Sequence, residues 1–373
     1  MDRRRYLATL GAAALGGCAG RSGTDGPDAT SADDGVAVET LATDLDIPWG
    51  AAYRDGTLYL TERPGRIVRL VDAEGHSPSG SRSSTDGDAV ETVVDAVAGV
   101  EHVGEGGLLG IVFHPSEPYA YTHQTYAADD GLANRLVRHD LTDDWSPEPL
   151  LTGIPGASIH DGGRLLVHDD ALYMTCGDAS SANRAQDPDG LAGSVLRVTL
   201  DGDPHPDNPS DSPVFSYGHR NPQGLVRREG TLYSTEHGPR VADEINVLRA
   251  GENYGWPEAK GPSDDDRFTD PITSYSPTIA PASATFYDGP IEAWQGDFFF
   301  GTLAAEHVRR VRFEGEGAAI SVVEEERLVE GEYGRIRTVF TGPEGHLHAV
   351  TSNRDGRGSP VAADDRLLRF VPE

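Results

Sequence analysis

A chain of 373 residues with 61 acidic and 31 basic side chains carries a formal net charge of −30, which argues against nucleic acid or an anionic membrane surface as a partner. One of the basic residues is lysine (Lys260) and the rest are arginine, a balance that suits solvation at high salt. Forty-five glycines and 25 prolines with scarce helical periodicity indicate an all-β protein rich in turns, and 373 residues suffice for a large core.

In chain order, residues 1–18 read as a targeting segment. Arg3, Arg4 and Arg5 precede an apolar stretch too short to span a bilayer. Consecutive arginines suggest twin-arginine export. Leu15-Gly16-Gly17-Cys18 resembles a lipobox, which would make Cys18 a lipidated N-terminus and the protein's one attachment to the outer face of the membrane; ordinary cleavage nearby is the alternative. Residues 19–38 are small, polar and acidic and read as a disordered tether, leaving 39–373 as the folded domain. The other cysteine, Cys176, sits in an apolar strand as a buried thiol without a disulfide partner.

From there a strand pair recurs six times: TLYLTE/GRIVRL (57–70), YAYTHQTY/NRLVRHDL (119–141), ALYMTC/SVLRVTL (171–200), TLYSTE/DEINVL (231–248), DFFFGTL/HVRRVRF (297–313) and HLHAVT/DRLLRFV (346–371). Each pair follows a further apolar strand: GAAY, GLLGIVF, GRLLV, GLV, SATFY and RTVFT. Two or more strands per unit at a period of roughly 40–60 residues predict a β-propeller. Residues 72–98 read as a polar surface insertion.

Antiparallel neighbours alternate direction, so residues just before the first strand and just after the second share one end of the blade. On that end fall Pro48-Trp49, Glu62-Arg63, Gly104-Glu105, His160-Asp161, Asp178 with the loop to 192, His219-Arg220-Asn221, Glu236 to Pro239, Arg335 to Arg337, and Asn353-Arg354. The opposite turns (RDG, HDD, REG, GPEG) carry nothing comparable, which marks a functional face.

His160 in SIHDGG, with Asp178 after the next strand, has the composition of an oriented general base; a loop histidine capped by a turn carboxylate is the plainer reading. Arg220, Arg335 and Arg337 suit recognition of planar carboxylates, with structural ion pairs as the alternative. The segment 236–257 mixes acids with Gly and Pro backbone, and its Asp243, Glu244 and Tyr254 form a weak calcium signal. The chain shows no phosphate-binding loop, dinucleotide fingerprint, hydrolase elbow or zinc spacing.

The strings IPWGAAYRDGTLYLTERPGRIVRL, GEGGLLGIVFHP, HDGGRLLVHDDALYMTCGDA, AQDPDGLAGSVLRV, SYGHRNPQGL, EHGPRVADEINVLRAGENYGWP and GRIRTVFTGPEGHLHAV together resemble the soluble PQQ-dependent sugar dehydrogenases (the glucose/sorbosone and aldose sugar dehydrogenases) from about residue 45 to 371, in family order. The resemblance implies a six-bladed propeller with four-stranded antiparallel blades. It implies oxidation of an aldose at its anomeric hydroxyl to the lactone, with pyrroloquinoline quinone and calcium as cofactors and electrons leaving to an external acceptor. His160 would be the base with Asp178 behind it, and Arg220 would polarise the quinone oxygens. Glu105, Asn221 and Gln223 would belong to the cofactor contacts, and Arg335 and Arg337 would hold cofactor carboxylates. Carbonyls of Gly238 and Pro239 would hold the cofactor's calcium, and Glu244, Asp243 and Tyr254 a structural one.

Two positions depart from the glucose-oxidising members: Glu105 stands where they have glutamine, and Ala304 where they have lysine. A non-catalytic cell-surface propeller binding sugar or protein is the alternative function. A calcium-dependent lactonase, drawing on Glu62, Glu105 and Asn221, is a third.

Overall fold

The structure is a computed structural model that describes residues 35–71, 89–315 and 317–373; the expected export segment and lipobox, and the expected tether up to residue 34, lie outside them. Strand β1 (Val36–Ala42) comes first, ahead of the expected domain start at residue 39. Blade 1 is β2 (Pro48–Arg54), β3 (Thr57–Glu62), β4 (Arg66–Leu70) and β5 (Val90–Val94). Blade 2 is β6 (Leu108–Phe113), β7 (Tyr119–Ala128), β8 (Gly131–Asp140) and β9 (Ser146–Pro155). Blade 3 is β10 (Leu165–His168), β11 (Ala171–Cys176), β12 (Ser194–Thr199) and β13 (Val214–Tyr217). Blade 4 is β14 (Pro222–Arg228), β15 (Thr231–Glu236), β16 (Asp243–Leu248) and β17 (Thr273–Tyr275). Blade 5 is β18 (Pro281–Phe286), β19 (Phe298–Thr302), β20 (Val308–Glu314) and β21 (Ser321–Leu328). Blade 6 is β22 (Ile336–Thr341), β23 (Leu347–Thr351) and β24 (Leu367–Pro372), completed by β1. The result is the expected six-bladed propeller of four-stranded antiparallel blades.

The innermost strands β2, β6, β10, β14, β18 and β22 contact one another around the ring. Closure comes from β1 pairing antiparallel with β24, from Val36 opposite Pro372 to Thr40 opposite Leu368. The supposed insertion is partly structural: Val90–Val94 is the outer strand of blade 1. No helix of the described residues is long and apolar enough to cross a membrane.

The core is divided among the blade interfaces. Six apolar clusters of described residues each join two neighbouring blades. The run Phe298-Phe299-Phe300 shows how strand period 2 serves this: Phe299 packs toward blade 6, while Phe298 and Phe300 pack toward blade 4. All three are fully buried, each contributing about 1.5–3 kcal/mol of burial. Cys176 packs between blades 2 and 3 as a free thiol, its ionisation opposed by burial.

Each second strand also carries a fully buried threonine: Thr61, Thr125, Thr175, Thr235, Thr302 and Thr351. Thr61 accepts from Gly50 N–H and donates to Leu109 C=O, and Thr235 donates to Ala282 C=O, so these hydroxyls stitch one innermost strand to the next. The mouth loops therefore leave from a rigid ring.

Candidate active site

His160 lies four residues into the loop between Gly156 and β10, with a left-handed backbone (φ 65°), a conformation that costs a non-glycine residue energy and tends to occur where function demands it. Gly177 makes room for it: a Cβ there would lie 2.0 Å from the His160 carbonyl oxygen. The imidazole Nδ1 is 2.8 Å from Asp178 Oδ1, and Nε2 is 2.9 Å from Arg220 Nη2. A carboxylate only accepts and a guanidinium only donates, so the proton sits on Nδ1, and the unprotonated Nε2 accepts from Arg220 and keeps the lone pair that a base needs. Asp178 is held in turn: Ser180 N–H donates to Oδ1, and the Trp256 indole N–H donates to Oδ2, both at 2.8 Å.

Arg220 reaches this point from the loop before β14. Its Nη1 donates to the carbonyls of His237 (3.1 Å) and Gly238 (2.9 Å). Its backbone N–H donates to Glu236, whose other oxygen is 2.8 Å from His219 Nδ1. Asn221 Oδ1 accepts from Gly162 N–H at 3.1 Å, fixing the loop that carries His160. Gln223 accepts from Arg337 through its side chain and from Arg164 Nε through its carbonyl.

Across the mouth stand guanidiniums paired with internal carboxylates. Arg335 binds Asp355 (2.8 Å) and the Leu303 carbonyl (2.8 Å), and Arg337 Nη2 lies 3.7 Å from Asp355. Burial alone would push Asp355 up, but the two guanidiniums hold it below the usual carboxylate range. Burial pulls both Arg337 and Arg164 down to about 9. Arg164 lies against the buried Trp49 ring, 4.0 Å from its centroid.

Glu105 accepts from the His160 N–H at 2.9 Å and pairs with Arg357 at 2.7 Å. Burial opposes its ionisation, yet these two partners, with His237 and Arg337, keep it low. Arg357 thus offsets the repulsion that a carboxylate at this position would exert on an anionic ligand. Ala304 is exposed beside Leu303, whose carbonyl accepts from Arg335.

The acid-rich segment needs one correction. Asp243 is not available as a calcium ligand: its oxygens accept from Gly238 N–H, Thr278 Oγ1, Ile279 N–H and Ala280 N–H. It is a loop brace. The Tyr254 hydroxyl is likewise committed, donating to Val247 C=O and accepting from Arg249 N–H, so only its main-chain carbonyl could serve an ion. Glu244 does suit a cation. Burial, reinforced by the adjacent Glu236 carboxylate, pushes it up to about 8, and it lines a cleft with Arg220, Glu236, His237, Gly238 and Trp256. Among the described residues no three His, Cys, Asp or Glu side chains gather as a metal-binding group. The lactonase set also dissolves: Glu62 is engaged by Asp46 N–H and Arg66, Glu105 by Arg357, and Asn221 by Gly162.

The mouth suits a polyanionic, hydrogen-bonding ligand. Among the described residues, Arg220 Nε, Arg337 Nε, His237 Nε2, Asn221 Nδ2 and Arg164 Nη2 are buried without a hydrogen-bond partner, and buried donors left unpaired are costly. Pyrroloquinoline quinone, a planar tricarboxylate, fits that donor set. Trp256, Asp355, Arg357 and Arg164 complete the site and escape the sequence reading. Asp355 and Arg357 follow the flagged Asn353-Arg354, and Arg164 follows His160 by four residues, so nearness to flagged loop residues was the one available signal.

The mouth of this six-bladed propeller holds a carboxylate-oriented histidine beside guanidinium N–H groups without partners among the described residues. Residues 45–368 match the family model for glucose/sorbosone dehydrogenases, and the chain belongs to that family of sugar dehydrogenases. It is 30% identical over 357 residues to the aldose sugar dehydrogenase YliI of Escherichia coli, covering 86% of this chain and 91% of that one. To quinoprotein glucose dehydrogenase B of Acinetobacter calcoaceticus it is 34% identical over 275 residues, covering 63% and 54%. The solved PQQ-bound form of the aldose sugar dehydrogenase of Streptomyces coelicolor superposes with a TM-score of 0.78 at 36% identity, over 90% of this chain and 98% of that one.

Proposed function

We propose that this chain is a PQQ- and calcium-dependent aldose dehydrogenase that oxidises the anomeric hydroxyl to the lactone and passes two electrons to an external acceptor. The observation that carries the reading is the unprotonated Nε2 of His160, fixed by Asp178 on its far side and set among buried donors that have no partner among the described residues. The chemistry supplied by bound PQQ is two-electron acceptance of the hydride leaving the anomeric carbon.

The chain's own residues do the rest. His160 Nε2 takes the hydroxyl proton, and Asp178 stabilises the imidazolium that forms. Arg220, now bridging His160 and the carbonyls of His237 and Gly238, is placed to stabilise developing negative charge. Arg337, Asn221 and Gln223 would hold the anionic ring system, and Arg335 would share its charge between Asp355 and the cofactor. Calcium would use the carbonyls of Gly238 and Pro239 at the cofactor, and Glu244 with the Tyr254 carbonyl at a structural position.

The same reading has the protein exported by its twin-arginine segment, anchored through Cys18 and active in high salt. Mass spectrometry of the mature N-terminus tests the anchor: an unmodified Cys18 would refute it.

The decisive experiment reconstitutes the chain in high salt with calcium and PQQ and follows the quinone absorbance on adding a panel of aldoses. Sugar-dependent bleaching is expected. Absence of PQQ binding would overturn the reading in favour of a sugar- or protein-binding propeller. For calcium, chelation should lower the melting temperature of the wild type and leave Glu244→Gln unaffected; an equal effect on both would remove Glu244 as a ligand.

A further inference from the structure

We infer that Trp256 is a positioning residue for the base, the third member of a Trp256–Asp178–His160 relay. The inference deepens the dehydrogenase reading and rests on it for its kinetic consequence alone.

The Asp178 side chain is 2% exposed, so each oxygen needs a partner within the protein. Oδ1 has two, His160 Nδ1 and Ser180 N–H. For Oδ2, among the described residues, the donor is the Trp256 indole N–H at 2.8 Å. A carboxylate held through one oxygen can pivot about it. Held through both, its plane is fixed, and with it the direction in which His160 Nδ1–H must point. The Nε2 lone pair on the opposite side of the ring then has a fixed direction too, as a near-attack arrangement requires.

Trp256 is itself built in. Its backbone N–H donates to Gly218 C=O (2.9 Å), and its backbone carbonyl accepts from Gln186 Nε2 (2.7 Å). Gln186 in turn accepts from Asn253 Nδ2 at 2.9 Å. Three loops thus converge on it: the one that follows Asp178, the one that carries Arg220, and its own. The indole face lies 5.3 Å from the Arg220 guanidinium carbon and 5.5 Å from Nζ of Lys260, the chain's single lysine. One side chain therefore touches both the carboxylate behind the base and the cation in front of it.

The test is Trp256→Phe in the full chain, which keeps an aromatic face for both cations and removes the N–H. With ¹⁵N-histidine labelling, the His160 Nδ1–H resonance is identified by its loss in His160→Gln. In the wild type it should be sharp and far downfield; in Trp256→Phe it should broaden or move upfield, with or without PQQ. In the loaded enzyme kcat should fall about 10–100-fold, with KM for the sugar and PQQ affinity little changed. Gln186→Ala, which loosens the indole without deleting its donor, should shift the same resonance less, and it carries the test if Trp256→Phe does not fold. An unchanged resonance in whichever variants fold would overturn the relay, whatever the activity. A shifted resonance in a protein that never bleaches PQQ would uphold the relay and refute the dehydrogenase reading.

Discussion

The two sides of the mouth are built on different physics. On the blade 3–4 side, His160, Asp178 and Arg220 are fixed by directional hydrogen bonds from main chain, indole and carbonyl groups. On the blade 6 side, Arg335, Arg337 and the rim residue Arg357 are paired with Asp355 and Glu105. The first side has its geometry complete without a ligand. On the second, three guanidiniums face two carboxylates, so an arriving anion meets one surplus positive charge and otherwise shares guanidiniums that already hold carboxylates. Proton transfer needs direction, and anion binding needs charge that can be re-partnered.

That contrast can be broken at its strongest point first. His160→Ala should lower turnover about 10²–10⁴-fold while leaving PQQ affinity nearly intact, since the charges across the mouth are untouched. Steady-state kinetics beside a PQQ titration checks this, and unchanged turnover would remove His160 as the base.

Asp355→Asn attacks the other side. Losing a buried partner of Arg335 should cost about 3–5 kcal/mol of stability, and the freed guanidiniums should make PQQ raise the melting temperature more than it does in the wild type. An equal PQQ-induced rise in both would mean these arginines do not hold the ligand.

The border between the two sides carries a pH signature. Burial pushes Asp161 up to about 6 from an ordinary 3.8. Between those values the folded chain keeps a proton that the unfolded chain has released, so this group's contribution to stability falls as pH rises, by about 1.4 kcal/mol per unit, and is flat above. Asp161→Asn should gain on the wild type between pH 4 and 6 in paired denaturation curves. A constant gap would show that Asp161 does not titrate in this window.

The smallest effect is expected from Ala304→Lys, which adds a cation beside the Leu303 carbonyl that binds Arg335. A surface charge contributes up to about 1 kcal/mol, so PQQ affinity should rise a few-fold at low salt and less at high salt. No gain at low salt would mean the position lies out of reach of the ligand.

Much of the fold was legible because the first three strands of each blade are buried and apolar, and period 2 survives in them. The outer strands are half-exposed and polar, as in VETVV and SVVEEERL, and such strands look like loops. The mouth-facing loops were legible from strand alternation alone. Asp243 was misread for a reason the strand geometry supplies. It and Glu244 are consecutive in β16, and consecutive strand residues point to opposite faces, so one can face an ion while the other braces a loop. Trp256 was invisible because its partner Asp178 lies 78 residues away, a pairing set only by the ring.

The closure of that ring has a kinetic consequence. The ion pair between Arg369 and Glu39 spans 330 residues, and β1 finds its partner only once β24 exists. Such long-range pairing is slow to form, and until it does the chain has two raw sheet edges open to other chains. Removing β24 would leave β1 without its partner and expose β23 as an edge, so a chain with five complete blades would still be primed to aggregate.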